Sequence, residues 1–176
     1  GNSGTAARLL ISILSTCPNI EVRLTGDKSL KKRSMEKLVK LMSEFGATFL
    51  PKNKYYFPLK IISSKLPVRI NYKSGISAQL KSAVILAGLN SYGNTQVTET
   101  IRSRDHTENL LKKNTKAINI KNGTRRVITV FGKKNLDPIS IDISGDPSTS
   151  AFFAALTLLN QNSTLIIKNV GLNPTR

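Results

Sequence analysis

Histidine and cysteine are nearly absent: His106 and Cys17 each stand alone. A single cysteine excludes an intrachain disulfide and a cysteine-built zinc site, and a single histidine excludes a multi-histidine metal centre. There is no tryptophan, aromatic residues make up only 6% of the chain, and no Lys/Arg run is interleaved with stacking aromatics. That argues against a nucleic-acid-binding surface built on base stacking. No apolar run approaches the roughly 18 residues of a membrane helix, and no basic amphipathic helix stands out, so no membrane partner is expected. HExxH, GxSxG, GxxxxGKS/T and paired Cys-x-x-Cys motifs are all missing. The opening residues, GNSGTAARLL, contain neither a start methionine nor a signal-peptide pattern, and sequence is expected to be missing on both sides. Acidic residues are scarce as well. Ten Asp+Glu against 27 Lys+Arg leave a net charge of +17.

What is present suits a globular α/β domain: 176 residues, 39% of them hydrophobic. Most of the lysines read as a solvated face. A basic nucleic-acid-binding module is the reading of another class that the charge supports, and strong, steeply salt-dependent DNA binding would mark it. The more informative feature is an internal repeat. Gly1-Asn2-Ser3-Gly4-Thr5, Ser74-Gly75-Ile76-Ser77-Ala78-Gln79 and Ser144-Gly145-Asp146-Pro147-Ser148-Thr149-Ser150 recur roughly 70 residues apart. Each leads into an apolar stripe at helical spacing. The three stripes are Ala6, Leu9, Leu10, Ile13, Leu14; Leu80, Ala83, Val84, Ala87; and Ala151, Phe152, Ala155, Leu156, Leu159. A strand is expected after each helix, at 20–24, 95–99 and 165–170, followed by a polar loop. The third loop is Asn173-Pro174-Thr175-Arg176. Second helices are expected over 35–45 and 109–113. Further strands are expected at 56–62, 68–72, 126–131 and 139–143. The unit reads β-α-β-α-β-β.

Helix starts fronted by small residues present free N–H groups and a partial positive charge to anions. Three at matching repeat positions make a stronger signal than one, and in a symmetric repeat they could converge. Arg33, Arg102 and Arg104 follow the strands and can each grip carboxylate or phosphate. Lys28, Lys31 and Lys32 read as solvated. Asp27, Asp105, Glu108 and Asp146 read as helix caps, and His106 as either a substrate contact or a loop hydrogen-bonding residue.

These motifs resemble those of the 5-enolpyruvylshikimate-3-phosphate synthase family, in its bacterial class. Residues 1–10 look like its glycine-rich phosphoenolpyruvate signature and residues 26–35 like its second signature. Ser77-Ala78-Gln79, Ser103-Arg104-Asp105-His106-Thr107-Glu108 and Gly145-Asp146-Pro147-Ser148 follow in order. Ser34 and Leu9 depart from a common pattern, standing where other members have proline. The resemblance implies an α/β fold of repeated β-α-β-α-β-β units in an inside-out barrel, incomplete in this chain. Residues 1–144 would belong to the first domain and 145–176 to the next unit, near the crossover to the second. It implies transfer of the enolpyruvyl group of phosphoenolpyruvate to the 5-hydroxyl of shikimate 3-phosphate, by addition then elimination, with no metal or organic cofactor. Gly4, Arg33 and Gln79 would bind phosphoenolpyruvate. Ser77, Ala78, Gln79 and Ser103 would bind shikimate 3-phosphate, with Thr5 and Arg104 as further candidates. The acid/base residues would lie outside this stretch, so no catalytic residue is assigned here and the chain alone is expected to be inactive. Glyphosate would inhibit a cytoplasmic enzyme that is monomeric at full length. A related enolpyruvyl transferase acting on UDP-N-acetylglucosamine is the nearest alternative; it usually places a cysteine or Asp in a glycine- and Arg-rich loop, a setting Cys17 lacks.

Overall fold

The computed structural model describes residues 1–113 and 116–175. Arg176, the end of the third expected loop, lies outside the described residues. The chain forms two compact units, Gly1–Asp137 and Pro138–Arg176.

The first unit opens with α1 (Gly4–Thr16), β1 (Glu21–Leu24), the single turn α2 (Lys28–Lys31), α3 (Glu36–Glu44), β2 (Thr48–Leu50) and β3 (Leu59–Ile62). It continues with β4 (Asn71–Ser74), α4 (Ala78–Asn90), β5 (Asn94–Glu99), α5 (His106–Leu111), β6 (Ile118–Lys121) and β7 (Arg126–Phe131). One sheet has the order β4-β5-β7-β6, with β4 parallel to β5 and the other pairs antiparallel. The other has the order β1-β3-β2, all antiparallel. The two are the same design: β1, β3 and β2 repeat β5, β7 and β6. Among the described residues no strand stands beside β1 where β4 stands beside β5.

Serine and aspartate start the helices as the lead-ins predict. Ser3 accepts from the Ala6 N–H at 3.1 Å, Ser77 from the Leu80 N–H at 3.3 Å, and Asp27 from the Leu30 N–H at 2.8 Å. Gly46, at φ +96°, ends α3 in the left-handed region that glycine enters most readily. The core is built from Leu38 and Met42 of α3 and Phe45 at its C-cap, Ile61 of β3, Val84 and Ile85 of α4, Val97 of β5 and Ile128 of β7.

α4 is apolar nearly all round because it is covered on both sides, by the four-stranded sheet and by α1 and α3. α1 departs from expectation. Leu10 and Ile13 are exposed, and the buried face is Gly4, Ile11, Ser12, Ser15 and Thr16. Small residues let α1 lie close to α4, and the Ser12 and Thr16 hydroxyls donate to carbonyls one turn back, at 2.6 and 3.3 Å. Close approach here outranks burial of the larger side chains. Three elements went unforeseen: α2, β2 and β6. The helix expected over 109–113 lies at 106–111.

The second unit contains α6 (Pro147–Leu158), capped by Asp146 accepting from the Ser148 N–H at 3.2 Å. The rest of the third pattern is not built. No residue of α6 is buried, and Phe152 is 79% exposed. Residues 139–143 and 165–170 form no strand, only a single bridge between Gly145 and Val170. Without a sheet in this unit, the apolar stripe of α6 is left exposed.

Candidate functional site

The starts of α1 and α4 meet. Gln79, in the first turn of α4, donates through Nε2 to the Thr5 hydroxyl at 2.7 Å and accepts through Oε1 from Arg8 Nη1 at 3.0 Å. Arginine can only donate, which fixes which end of the amide faces it. Arg33, after α2, reaches the same place. Its Nη2 donates to Asn2 Oδ1 at 3.3 Å. A Cβ placed on Gly4 would lie 2.9 Å from Arg33 Nη1 and 2.9 Å from Arg8 Nη1. Gly4 thus makes room for two guanidinium groups at a helix N-terminus. Burial, and then the charge of Arg33, lower the Arg8 pKa from its usual value.

Gln79 forms a wall of two open pockets. One, about 360 Å³, is lined on its other sides by Arg8, Ser77, Leu80 and the start of α3. The other, about 200 Å³, is lined by Thr5, Leu9, Ala78, Ser82, Arg104, His106 and Thr107. A larger cleft of about 400 Å³, between Lys40 and Tyr55, shares no residue with this cluster. Ser77 uses its oxygen as a cap, which leaves its hydroxyl hydrogen able to reach a ligand.

Ser103 is placed differently. It is buried, and both its N–H and its hydroxyl point at Glu99 Oε1, at 3.2 and 2.9 Å. Glu99 belongs to a buried ionic network that was not foreseen. Lys81 Nζ lies 2.9 Å from Glu99 and 2.7 Å from Glu108; Arg126 Nη1 lies 2.7 Å from Glu99 and 3.2 Å from Glu108. Burial pushes the Glu99 carboxyl up, but hydrogen bonds from Lys81, Arg126 and Ser103 hold it below the usual carboxylate range. An ionised carboxylate only accepts, so Ser103 is the donor. Glu108 is therefore not a cap: it is fully buried and ion-paired. Asp105 stands at the cap position of α5 but makes no cap bond, and holds Arg102 at 3.1 Å and Asn109 at 2.9 Å instead. Asp27 and Asp146 do cap. The signal for the network was a lysine inside an apolar helical stripe and charges in alternating strands. Arg8 was legible only as part of a quoted motif.

The first unit therefore brings Gly4, Thr5, Arg33, Ser77, Ala78, Gln79 and Arg104 around one pair of helix starts, with Ser103 bonded beneath. This is a cationic, small-residue cleft on an α/β repeat, an arrangement suited to oxyanions. The fold is that of the enolpyruvyl transferases: it resembles NikO from Streptomyces tendae at TM-score 0.51 and 14% identity, over 73% of this chain and 29% of that one. The family described as EPSP synthase (3-phosphoshikimate 1-carboxyvinyltransferase) matches residues 1–176, and the chain belongs to that family. It is 42% identical to the 3-phosphoshikimate 1-carboxyvinyltransferase of Novosphingobium aromaticivorans over 179 residues, covering 100% of this chain and 40% of the relative. Identity to the protein of that name in Petrotoga mobilis is also 42%, with 99% and 40% covered. A solved EPSP synthase from Acinetobacter baumannii matches at TM-score 0.79 and 35% identity, over 100% of this chain and 39% of that one. The chain thus spans about 40% of the length of these relatives. Among the described residues no helix is long and apolar enough to cross a membrane.

Proposed function

We propose that the full-length protein containing this chain transfers the enolpyruvyl group of phosphoenolpyruvate to the 5-hydroxyl of shikimate 3-phosphate and releases phosphate. The observation that carries the reading is the meeting of Gly4, Arg33 and Gln79 at the start of α1. There the helix N–H groups, the missing side chain and the guanidinium all favour an oxyanion. In this reading Gly4, Arg33 and Gln79 hold phosphoenolpyruvate. Ser77, Ala78, Gln79 and Ser103 hold shikimate 3-phosphate, with Thr5 and Arg104 assisting. The Ser103 hydroxyl has to turn from Glu99 to donate to a phosphate, and Glu99 keeps Lys81, Arg126 and the Ser103 N–H when it does. Residues 1–144 belong to the first domain and 145–176 to the following unit.

The chain supplies binding and orientation, which lower the barrier by fixing both reactants before reaction. Proton transfer in the addition and elimination steps falls to residues outside it. The enzyme is a monomeric cytoplasmic one, and the space at Gly4 admits glyphosate. The test is phosphate release from phosphoenolpyruvate by the full-length protein. Release that depends on shikimate 3-phosphate and stops with glyphosate is expected; release that depends on UDP-N-acetylglucosamine would replace the acceptor. Normal turnover in glyphosate well above the phosphoenolpyruvate KM would remove glyphosate from the reading.

A further inference from the structure

Arg8 is the one guanidinium in the cluster that the functional reading leaves without a task. It sits on the second turn of α1 and is half-buried. Its Nη1 donates to the Gly4 carbonyl at 3.2 Å and to Gln79 Oε1 at 3.0 Å, so one nitrogen ties the first turn of α1 to the first turn of α4. With Oε1 held there, the Gln79 amide nitrogen is turned toward Thr5. One of its two hydrogens is used on the Thr5 hydroxyl; the other remains for a ligand. Without Arg8 the amide could flip end for end and present an acceptor where a donor is needed.

Arg8 also acts on Arg33. The two guanidiniums approach the same point on Gly4. Among the described residues no carboxylate is paired with either, and the acid in the adjoining pocket, Glu36, is paired with Lys40. Arginine does not relieve such crowding by losing its proton. An arriving anion relieves it instead.

We propose that Arg8 is a positioning residue of the phosphoenolpyruvate site, locking the Gln79 amide and adding its charge to that of Arg33. It acts through those two residues, since its inward nitrogen is already committed to Gly4 and Gln79. The inference rests on the functional reading above, and the experiment separates the two.

The full-length protein is compared with Arg8→Lys, Arg8→Gln, Gln79→Ala and the Arg8→Gln/Gln79→Ala double variant. Arg8→Gln raises the KM for phosphoenolpyruvate about 10- to 100-fold, the scale of one charge-assisted hydrogen bond, without a matching fall in kcat. Arg8→Lys, which keeps the charge and loses the fork, falls between the two. The double variant loses less than the two single losses combined, because both remove the same Arg8–Gln79 contact, while the charge that Arg8 adds to Arg33 is still lost in it. Additive losses, an unchanged KM, or a fall in kcat alone that tracks the folded fraction would each overturn the inference. Should the unaltered protein show no turnover, the functional reading fails. Inorganic phosphate titration then decides about Arg8: a Kd weakened in Arg8→Gln supports its role, and an equal Kd sinks it.

Discussion

At the scale of single residues, the missing side chain of Gly4 sets the room at the start of α1. Gly4 is constrained by what surrounds it. A methyl group there would press on the ends of Arg8 and Arg33, which are flexible and can withdraw. Gly4→Ala should therefore leave the melting temperature unchanged while raising the phosphoenolpyruvate KM about tenfold, roughly 1.4 kcal/mol. Calorimetry and initial rates on the full-length protein check both halves; a drop in stability with normal KM would contradict them. The glycine was legible in the sequence because its neighbours form a helix lead-in. Arg8 was not. Nothing in local pattern tells a helical arginine facing solvent from one bridging to a second helix 71 residues away.

At the scale of elements, Lys81, Glu99, Glu108 and Arg126 join α4, β5, α5 and β7. Removing one member strands the others in the interior. Lys81→Met should cost about 3–5 kcal/mol, read from a shifted denaturation midpoint, because two buried carboxylates would then share Arg126 alone. The network also gives stability a pH dependence. The folded pKa of Glu99 lies below its unfolded value. Its stabilisation is complete above the unfolded carboxylate range of about 4.3 and is lost as pH falls through the folded value. Stability should fall on acidification below about pH 4.5, more steeply than in a Glu99→Gln variant, whose residue 99 does not titrate. A denaturation series across pH 3–6 would show equal slopes if the network contributed nothing. The helices α1, α3, α4 and α6 and the strands β1, β3, β5 and β7 were legible because caps and apolar periodicity are local. α2 has a single turn and β2 three residues, too short for a period to register, and β6 follows a lysine-rich stretch that masks its alternation. The stripes misled where burial depends on a partner. Leu10 on α1 and Phe152 on α6 are apolar in a helical pattern, yet exposed.

At the scale of the whole molecule, the complete β4-to-β7 repeat shows what the other two are missing. The first repeat has no counterpart of β4 among the described residues, and the third has a helix without a sheet. Transition-state stabilisation needs every charged group in place around a closed site. The purified 176-residue chain should show no transferase turnover above background in a phosphate-release assay, and detectable turnover would refute this. The bare side of β1 has a separate effect. Among the described residues no strand lies along it, and the backbone groups of Glu21 and Arg23, which alternate with those bonded to β3, point out from this edge. Glu21 is already paired with Lys60 of β3, so Arg23 alone is left to guard this edge by charge. Concentrated solutions of the chain should then assemble by strand addition, growing in size with concentration and blocked by a proline at Arg23, whose N–H points away from β3.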